Sequence, residues 1–262
     1  MREGLPDLDH PILTPQILVK ALARRYESSH NDLNLPGIAI VTPVYPLFKQ
    51  ISGLFKGKPL SAWSWKHPSF FGFGEGNKNV GVIVCCPMGA PNVAITLEEL
   101  AAFGVHTVFF LGLAGGISTK SKIGELILPP FGYVGEGTSR YYGNASLAFA
   151  SKRLWNKAKA GLVGEGVEDI CTSPVWTTDA LYRETGEMIK KLLGLGVGAI
   201  DMETSAVFSV AEAVSVRSVV FLWVSDILTR VGWEPHFHEA RLKWAIASHM
   251  KAFQRWLSHQ II

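Results

Sequence analysis

Thr107-Val-Phe-Phe-Leu-Gly-Leu-Ala-Gly-Gly-Ile-Ser118 is the stretch on which the fold turns. Residues 107–111 form a continuous apolar run, which reads as a strand covered on both faces. Gly112, Gly115 and Gly116 follow at its carboxyl end, where glycine permits positive φ and lets a ligand approach backbone N–H groups. A dinucleotide-binding turn needs a helix directly after its glycines and an acid ~20 residues later at a strand end. Instead, Ser118-Thr-Lys-Ser-Lys-Ile-Gly-Glu125 is turn-like and leads into another apolar run, 125–128. That topology excludes a nicotinamide- or flavin-dinucleotide reading.

Outward from this stretch, short β-branched runs at 37–42, 80–86 and 218–224 alternate with helical patterns at 15–26, 91–103, 147–162, 186–193, 203–214 and 238–257. Strand–helix alternation predicts an α/β fold of three layers, a mostly parallel or mixed twisted sheet flanked by helices. No linker or repeat interrupts it, so residues 1–262 read as a single domain. The segment 56–79, with Trp63, Trp65, Phe70, Phe71 and Phe73 among glycines, admits a hairpin, an aromatic loop or an oligomer contact.

Composition narrows the function. Apolar residues make up 48% of the chain but charged residues only 18%, against roughly 25% in an average soluble protein. The net charge is +3 with no long basic block, so nucleic acid and membrane surfaces are not expected partners. Cys85, Cys86 and Cys171 are odd in number and do not form a disulfide framework; they read as small buried hydrophobes in a reducing cytoplasm. The opening MREGLPDLDHPIL lacks the apolar core of a signal peptide. No apolar run approaches the ~20 residues of a membrane span.

Four stretches hold candidate chemistry. The glycine turn is one. Gly135-Glu-Gly-Thr-Ser-Arg-Tyr-Tyr142 offers hydroxyls, the Arg140 cation and aromatic faces, a mix suited to a small polar ligand. Asp201-Met-Glu-Thr-Ser-Ala-Val-Phe208 sets two carboxylates before an apolar helix, where the dipole favours them and where they can accept from vicinal hydroxyls such as those of ribose. Val224-Ser-Asp226 puts an acid at the end of a buried strand, the place where open α/β sheets bind ligands. His236, His238 and His249 lack an acid or cysteine to complete a metal set. Ser139 and Ser225 lack a nucleophile elbow.

In order along the chain, Pro87-Met-Gly-Ala-Pro91 with Glu98-Glu99, Gly112 to Gly116, Ile123-Gly-Glu-Leu-Ile127, Glu136-Gly-Thr-Ser139, Trp176-Thr-Thr-Asp-Ala-Leu-Tyr-Arg-Glu-Thr185, Asp201-Met-Glu203 and Ser225-Asp226 resemble the nucleoside phosphorylases and nucleosidases that work as trimers or hexamers. The resemblance runs over 36–257, and the Trp-Thr-Thr-Asp and Arg-Glu-Thr wording is similar to an uncharacterised uridine phosphorylase-like branch. It implies an enzyme of N-glycosidic bond cleavage acting on a purine or pyrimidine nucleoside in the cytoplasm. It further implies a pentosyltransferase (nucleoside phosphorylase) with phosphate as the expected acceptor and co-substrate and no other cofactor, working as a homo-oligomer (dimer, trimer or hexamer).

Carried over by position, the resemblance gives Glu203 the ribose hydroxyls and places Met202 under the sugar. Asp201 stands where a glutamate is usual in the ribose site. Asp226 corresponds to the acid that donates to N7 of a purine. Leu181, where many members stack a phenylalanine, Tyr182 and Gly115 would lie at the base. Gly112, Gly116 and Arg140 would lie at phosphate, and Arg230 and Arg241 are candidates for a helping arginine.

The departures concern phosphate. The family's phosphorylases hold it with a glycine, two arginines and a hydroxyl residue, and the corresponding positions here are Val41, Tyr45, Phe110 and Leu113. A dianion is not desolvated without compensating donors or charge. A phosphate-independent nucleosidase and a non-catalytic nucleoside-binding or storage protein are therefore the alternative expectations. The low charge reads in the same way, as arginines missing from an apolar phosphate pocket and as surface covered between subunits.

Overall fold

The computed structural model describes residues 11–25, 33–60, 63, 70–75, 78–118 and 121–261. Along the chain these form α1 (Pro15–Arg25), β1 (Ile38–Thr42), α2 (Tyr45–Leu54), β2 (Lys58–Pro59), β3 (Phe70–Glu75), β4 (Lys78–Cys85), α3 (Ala90–Ala102), β5 (Thr107–Gly116), β6 (Leu126–Ile127) and β7 (Phe131–Gly135). There follow β8 (Leu147–Phe149), α4 (Lys152–Gly164), β9 (Ile170–Cys171), β10 (Val175–Thr178), α5 (Gly186–Gly194), β11 (Ala199–Asp201), α6 (Thr204–Ala213), β12 (Arg217–Leu228), β13 (Trp233–Pro235) and α7 (Ala240–Ile261).

The strands join in one mixed sheet. Its path runs β2-β3-β4-β1-β5-β11-β10-β7-β8, with β12 on the other side of β5. β1 pairs in parallel with β4 and β5, and β5 in parallel with β12 along its whole length. Two cores sandwich the sheet, because successive strand residues face opposite ways. Val108 and Phe110 of β5, with Val220, Leu222 and Val224 of β12, face α3 and α6. Phe109 and Leu111, with Val219, Phe221 and Trp223, face α2, α4 and α7. This is the three-layer α/β arrangement that the strand–helix alternation indicates.

Several local expectations change. The glycines at 112–116 form no turn: they continue β5, because β12 pairs with them on one side and β11 reaches Gly115 and Gly116 on the other. The helical pattern at 147–162 divides into strand β8 and helix α4, since residues 147–149 pair with β7. Helix α2, unforeseen in the sequence, starts with Pro46 in its first turn, where a missing N–H costs nothing. β3 and β4 form the hairpin among the options for 56–79. Trp63 is buried, stacks on Phe70 at 4.9 Å and donates its indole N–H to the Leu33 carbonyl; Trp65 lies outside the described residues. No helix among the described residues is long and apolar enough to cross a membrane.

Candidate active site

The candidate acids fall at two places, Asp201 and Glu203 where α3 and α6 meet, and Asp226 at the end of β12. Helix α6 begins after Asp201-Met-Glu203, and its first N–H groups need acceptors. Asp201 supplies one: its Oδ2 accepts from the Thr204 N–H at 2.9 Å and the Thr204 hydroxyl at 2.5 Å, while Oδ1 accepts from the Thr177 hydroxyl at 2.8 Å. Thr177 Oγ1 in turn accepts from the Ser205 N–H at 3.0 Å. Burial raises the Asp201 carboxyl above its ordinary range, against the pull of these donors. Both Asp201 oxygens thus have partners inside the protein, and the Thr204 and Ser205 N–H groups find acceptors without the Glu203 side chain.

Glu203 is released from capping and reaches across to α3. Its Oε1 accepts from the Gly89 N–H at 2.8 Å. Gly89 precedes α3 at φ +101°, a backbone region that side chains disfavour, so glycine is needed to aim this N–H. Glu203 is only 4% exposed. Burial, and then the neighbouring Asp201 charge, push its carboxyl up to about 8 despite the Gly89 and Met202 N–H bonds. Half-buried Met202 lies between the two acids in sequence. The buried Cys86 thiol is also pushed up, by burial and by Glu203.

Asp226 is set by an irregularity in β12. Val224 pairs with Ala114 but Asp226 pairs with Gly115, so Ser225 is the inserted residue of a bulge. The bulge reverses the pleat: Ile227 joins the same core as Val220, Leu222 and Val224. Asp226 Oδ1 accepts from the Ser225 hydroxyl at 2.6 Å, and Oδ2 accepts from the Trp233 indole N–H at 2.8 Å. The β12–β13 hairpin carries Trp233 back to it. Gly115 makes room, since a Cβ there would lie 2.9 Å from Asp226 Oδ2 and 2.3 Å from Leu228 Cδ1.

A third carboxyl joins the second. Glu184 ends the 3₁₀ turn Leu181–Arg183, and its Oε1 is buried without a hydrogen-bond partner. Burial, then the Asp226 charge, lift it to about 7. Glu184, Gly89 and Ser225 carry geometry that the sequence reading passed over, although each lies inside a quoted motif. A separation in sequence of the kind between Glu184 and Asp226 leaves no local signal.

The remaining candidates lie around this frame. Leu181 and Tyr182 are exposed on the 3₁₀ turn. Arg140 lies in a second 3₁₀ turn, Ser139–Tyr142, with its guanidinium 5.1 Å from the Tyr141 ring and bonded to the Tyr141 hydroxyl at 3.3 Å. Glu136 pins that turn by accepting from the Thr138 and Ser139 N–H groups and the Ser205 hydroxyl. Gly112 packs against Leu222 and Phe110, and Gly116 against Ser121. Val41 and Phe110 are wholly buried, whereas Tyr45 is half-exposed and stacks on Phe48.

The two arginine candidates lie apart from each other. Arg230 sits 3.9 Å from Glu187. Arg241 lines a cavity of about 410 Å³ with Lys122, Trp244 and His249, a space to which neither Asp226 nor Glu203 contributes. His236 is paired with Glu239 and Glu234, and His249 accepts from the Trp223 indole. Among the described residues no three His, Cys, Asp or Glu side chains gather as a metal site.

The family model of the phosphorylase superfamily matches residues 38–258. The chain belongs to the phosphorylase superfamily. Within the superfamily, it is 30% identical over 142 residues to a DeoD-type purine nucleoside phosphorylase of Bacillus cereus, covering 53% of this chain and 60% of that protein. It is 27% identical over 131 residues to a guanosine phosphorylase of Halorubrum lacusprofundi, covering 50% and 54%. The match thus spans little more than half the length of these curated relatives. Among solved structures, an AMP nucleosidase from Bacteroides thetaiotaomicron aligns with TM-score 0.68 and 21% identity over 95% of this chain and 100% of its own. A purine nucleoside phosphorylase from Toxoplasma gondii in complex with immucillin-H aligns with TM-score 0.73 and 14% identity over 87% and 92%. At these identities the two structures show a common fold.

Proposed function

We propose that this protein cleaves the N-glycosidic bond of a nucleoside, with the sugar at Glu203 and the base near Asp226. The carrying observation is the Glu203–Gly89 bond: a buried carboxyl is left out of its own helix cap and fixed at the meeting of two helix N-termini. Glycosidic cleavage builds positive charge on the sugar; that charge favours ionisation of the Glu203 carboxyl, held up at about 8 in the free protein, and the carboxylate so formed stabilises it in a site of low dielectric. In this reading Met202 packs under the sugar, Asp201 holds the helix that presents Glu203, and Leu181, Tyr182 and Gly115 border the base. No cofactor takes part, and the working form is a homo-oligomer in the cytoplasm.

Water is the acceptor we favour. Of the two arginine positions, Phe110 is wholly buried in the core and Tyr45 stacks its ring on Phe48, so neither supplies a cation to hold a phosphate dianion. Phosphorolysis, with Gly112, Gly116 and Arg140 around the anion, is the second reading, and the names of the curated relatives favour it. Incubation with a panel of purine and pyrimidine nucleosides, with and without phosphate, separates the two. Release of free ribose and base without phosphate supports water; release of ribose 1-phosphate only when phosphate is present overturns it.

A further inference from the structure

We propose that Trp233 sets the base specificity of the site: its indole N–H holds Asp226 as an acceptor, which selects a nucleobase with an exocyclic amino group over its oxo counterpart. This rests on the nucleoside-cleavage reading above and adds to it a positioning residue and a substrate class.

The indole nitrogen of Trp233 lies 2.8 Å from Asp226 Oδ2. An indole N–H donates and never accepts, so Oδ2 is fixed as the acceptor of this bond. The Ser225 hydroxyl lies 2.6 Å from Oδ1 and 3.5 Å from the Ala114 carbonyl, so its shorter bond goes to Asp226. Each carboxyl oxygen thus has a donor inside the protein. Oxygens of this kind accept along two lone pairs, which leaves acceptor capacity for a ligand.

The hairpin that carries Trp233 closes without this bond. Asp226 pairs with Pro235, Ile227 with Glu234 and Leu228 with Trp233. The Thr229 N–H donates to the Gly232 carbonyl at 2.8 Å, and the Thr229 hydroxyl accepts from the Gly232 N–H at 3.1 Å. At the other end the His236 N–H donates to the Ser225 carbonyl at 3.2 Å. The Trp233 side chain is 55% exposed, so packing alone does not explain its place. What it adds is an N–H aimed at a buried acid.

Strand register relates this acid to the sugar site. Asp226 of β12 and Ile200 of β11 pair with the same residue, Gly115, from its two sides. Asp226 is therefore two strand spacings, about 10 Å, from the residue that precedes Asp201-Met202-Glu203. A nucleoside with its sugar at Glu203 has the length to bring the edge of its base to Asp226. There an amino group donates to a free lone pair, whereas an oxo group sets oxygen against oxygen. A buried acceptor left unpaired is what makes such a site reject the wrong analogue.

The test measures kcat/KM on substrate pairs that exchange an amino for an oxo group, adenosine with inosine and cytidine with uridine. Within a pair the ratio does not depend on how much of a preparation is folded. Wild type is expected to favour the amino member of at least one pair by roughly 10–100-fold. Trp233→Phe, which keeps a ring and removes the N–H, is expected to bring that ratio close to unity. Asp226→Asn is expected to reverse it, because the indole N–H holds the amide oxygen and leaves the amide N–H groups to donate to an oxo group. Adding Trp233→Phe to Asp226→Asn then abolishes the reversal. An oxo preference or no preference in wild type, an amino preference that Trp233→Phe leaves intact, or an order that Asp226→Asn does not change overturns the proposal. Calorimetric binding of adenine against hypoxanthine, and of cytosine against uracil, reads the same preference without turnover. A wild type that cleaves none of the four nucleosides, yet binds an amino base preferentially and loses that preference in Trp233→Phe, refutes the nucleoside-cleavage reading and supports the assignment of Trp233.

Discussion

Replacing Glu203 by glutamine removes a buried charge and keeps an oxygen for the Gly89 N–H. In the folded protein the Glu203 carboxyl is held up at about 8, from an ordinary value of 4.5. Between those values the native state binds a proton that the unfolded chain has released. A group raised on folding gives stability that is complete below its unfolded value and is lost as pH rises through its folded value. The slope is about 1.4 kcal/mol per pH unit while the folded group stays protonated and the unfolded one is ionised. Between pH 5.5 and 7.5 wild type should therefore lose about 2 kcal/mol more stability than Glu203→Gln. Asp201 is raised by burial as well, and its charge is one of the causes that lift Glu203, so the difference between the two proteins reads the pair. Urea unfolding at several pH values, followed by tryptophan fluorescence, measures the difference. Parallel stability curves would show that Glu203 is ionised in the folded protein and that the geometric reading of its burial is wrong.

Phe110→Arg, which restores a cation where the superfamily's phosphorylases carry one, is expected to unfold the protein instead of creating phosphate binding. The side chain is wholly buried, and an unpaired buried charge costs several kcal/mol; a folded variant that binds phosphate would contradict this. Asp201→Ala removes the acceptor for Thr204 and Thr177 and should destabilise by about 2–4 kcal/mol in urea unfolding. A change below ~0.5 kcal/mol would mean that the α6 terminus does not depend on it. Gly115→Ala forces a methyl against Leu228 and Asp226. It should cost about 1–3 kcal/mol and lower base release at least tenfold, as read by chromatography of the freed base.

The sheet was legible in the sequence because its strands are buried on both faces. The alternating contributions of Val108, Phe109, Phe110 and Leu111 to two cores are the structural form of one uninterrupted apolar run. The continuation of β5 through Gly112, Gly115 and Gly116 was not legible. Glycine has little strand preference, and what holds it there is pairing with β12 and β11, both remote in sequence. At the site, the acids at 201, 203 and 226 could be named from their places before a helix and at a strand end. Their division of labour could not: Asp201 caps α6 and Glu203 is freed only because Thr177, Thr204 and Gly89 meet there in three dimensions. Glu184, at the end of a 3₁₀ turn, was hidden for the same reason, since its character comes from burial and from a carboxylate on β12.

The central claim is that Glu203 anchors the sugar of a nucleoside whose glycosidic bond is cut here. Chromatography of the base released from inosine, guanosine, adenosine, uridine and cytidine by wild type and by folded Glu203→Gln tests it most directly. Base release from at least one nucleoside by wild type, reduced at least a hundredfold in the variant, is the predicted result. No release from any nucleoside, or release that Glu203→Gln leaves unchanged, would contradict it.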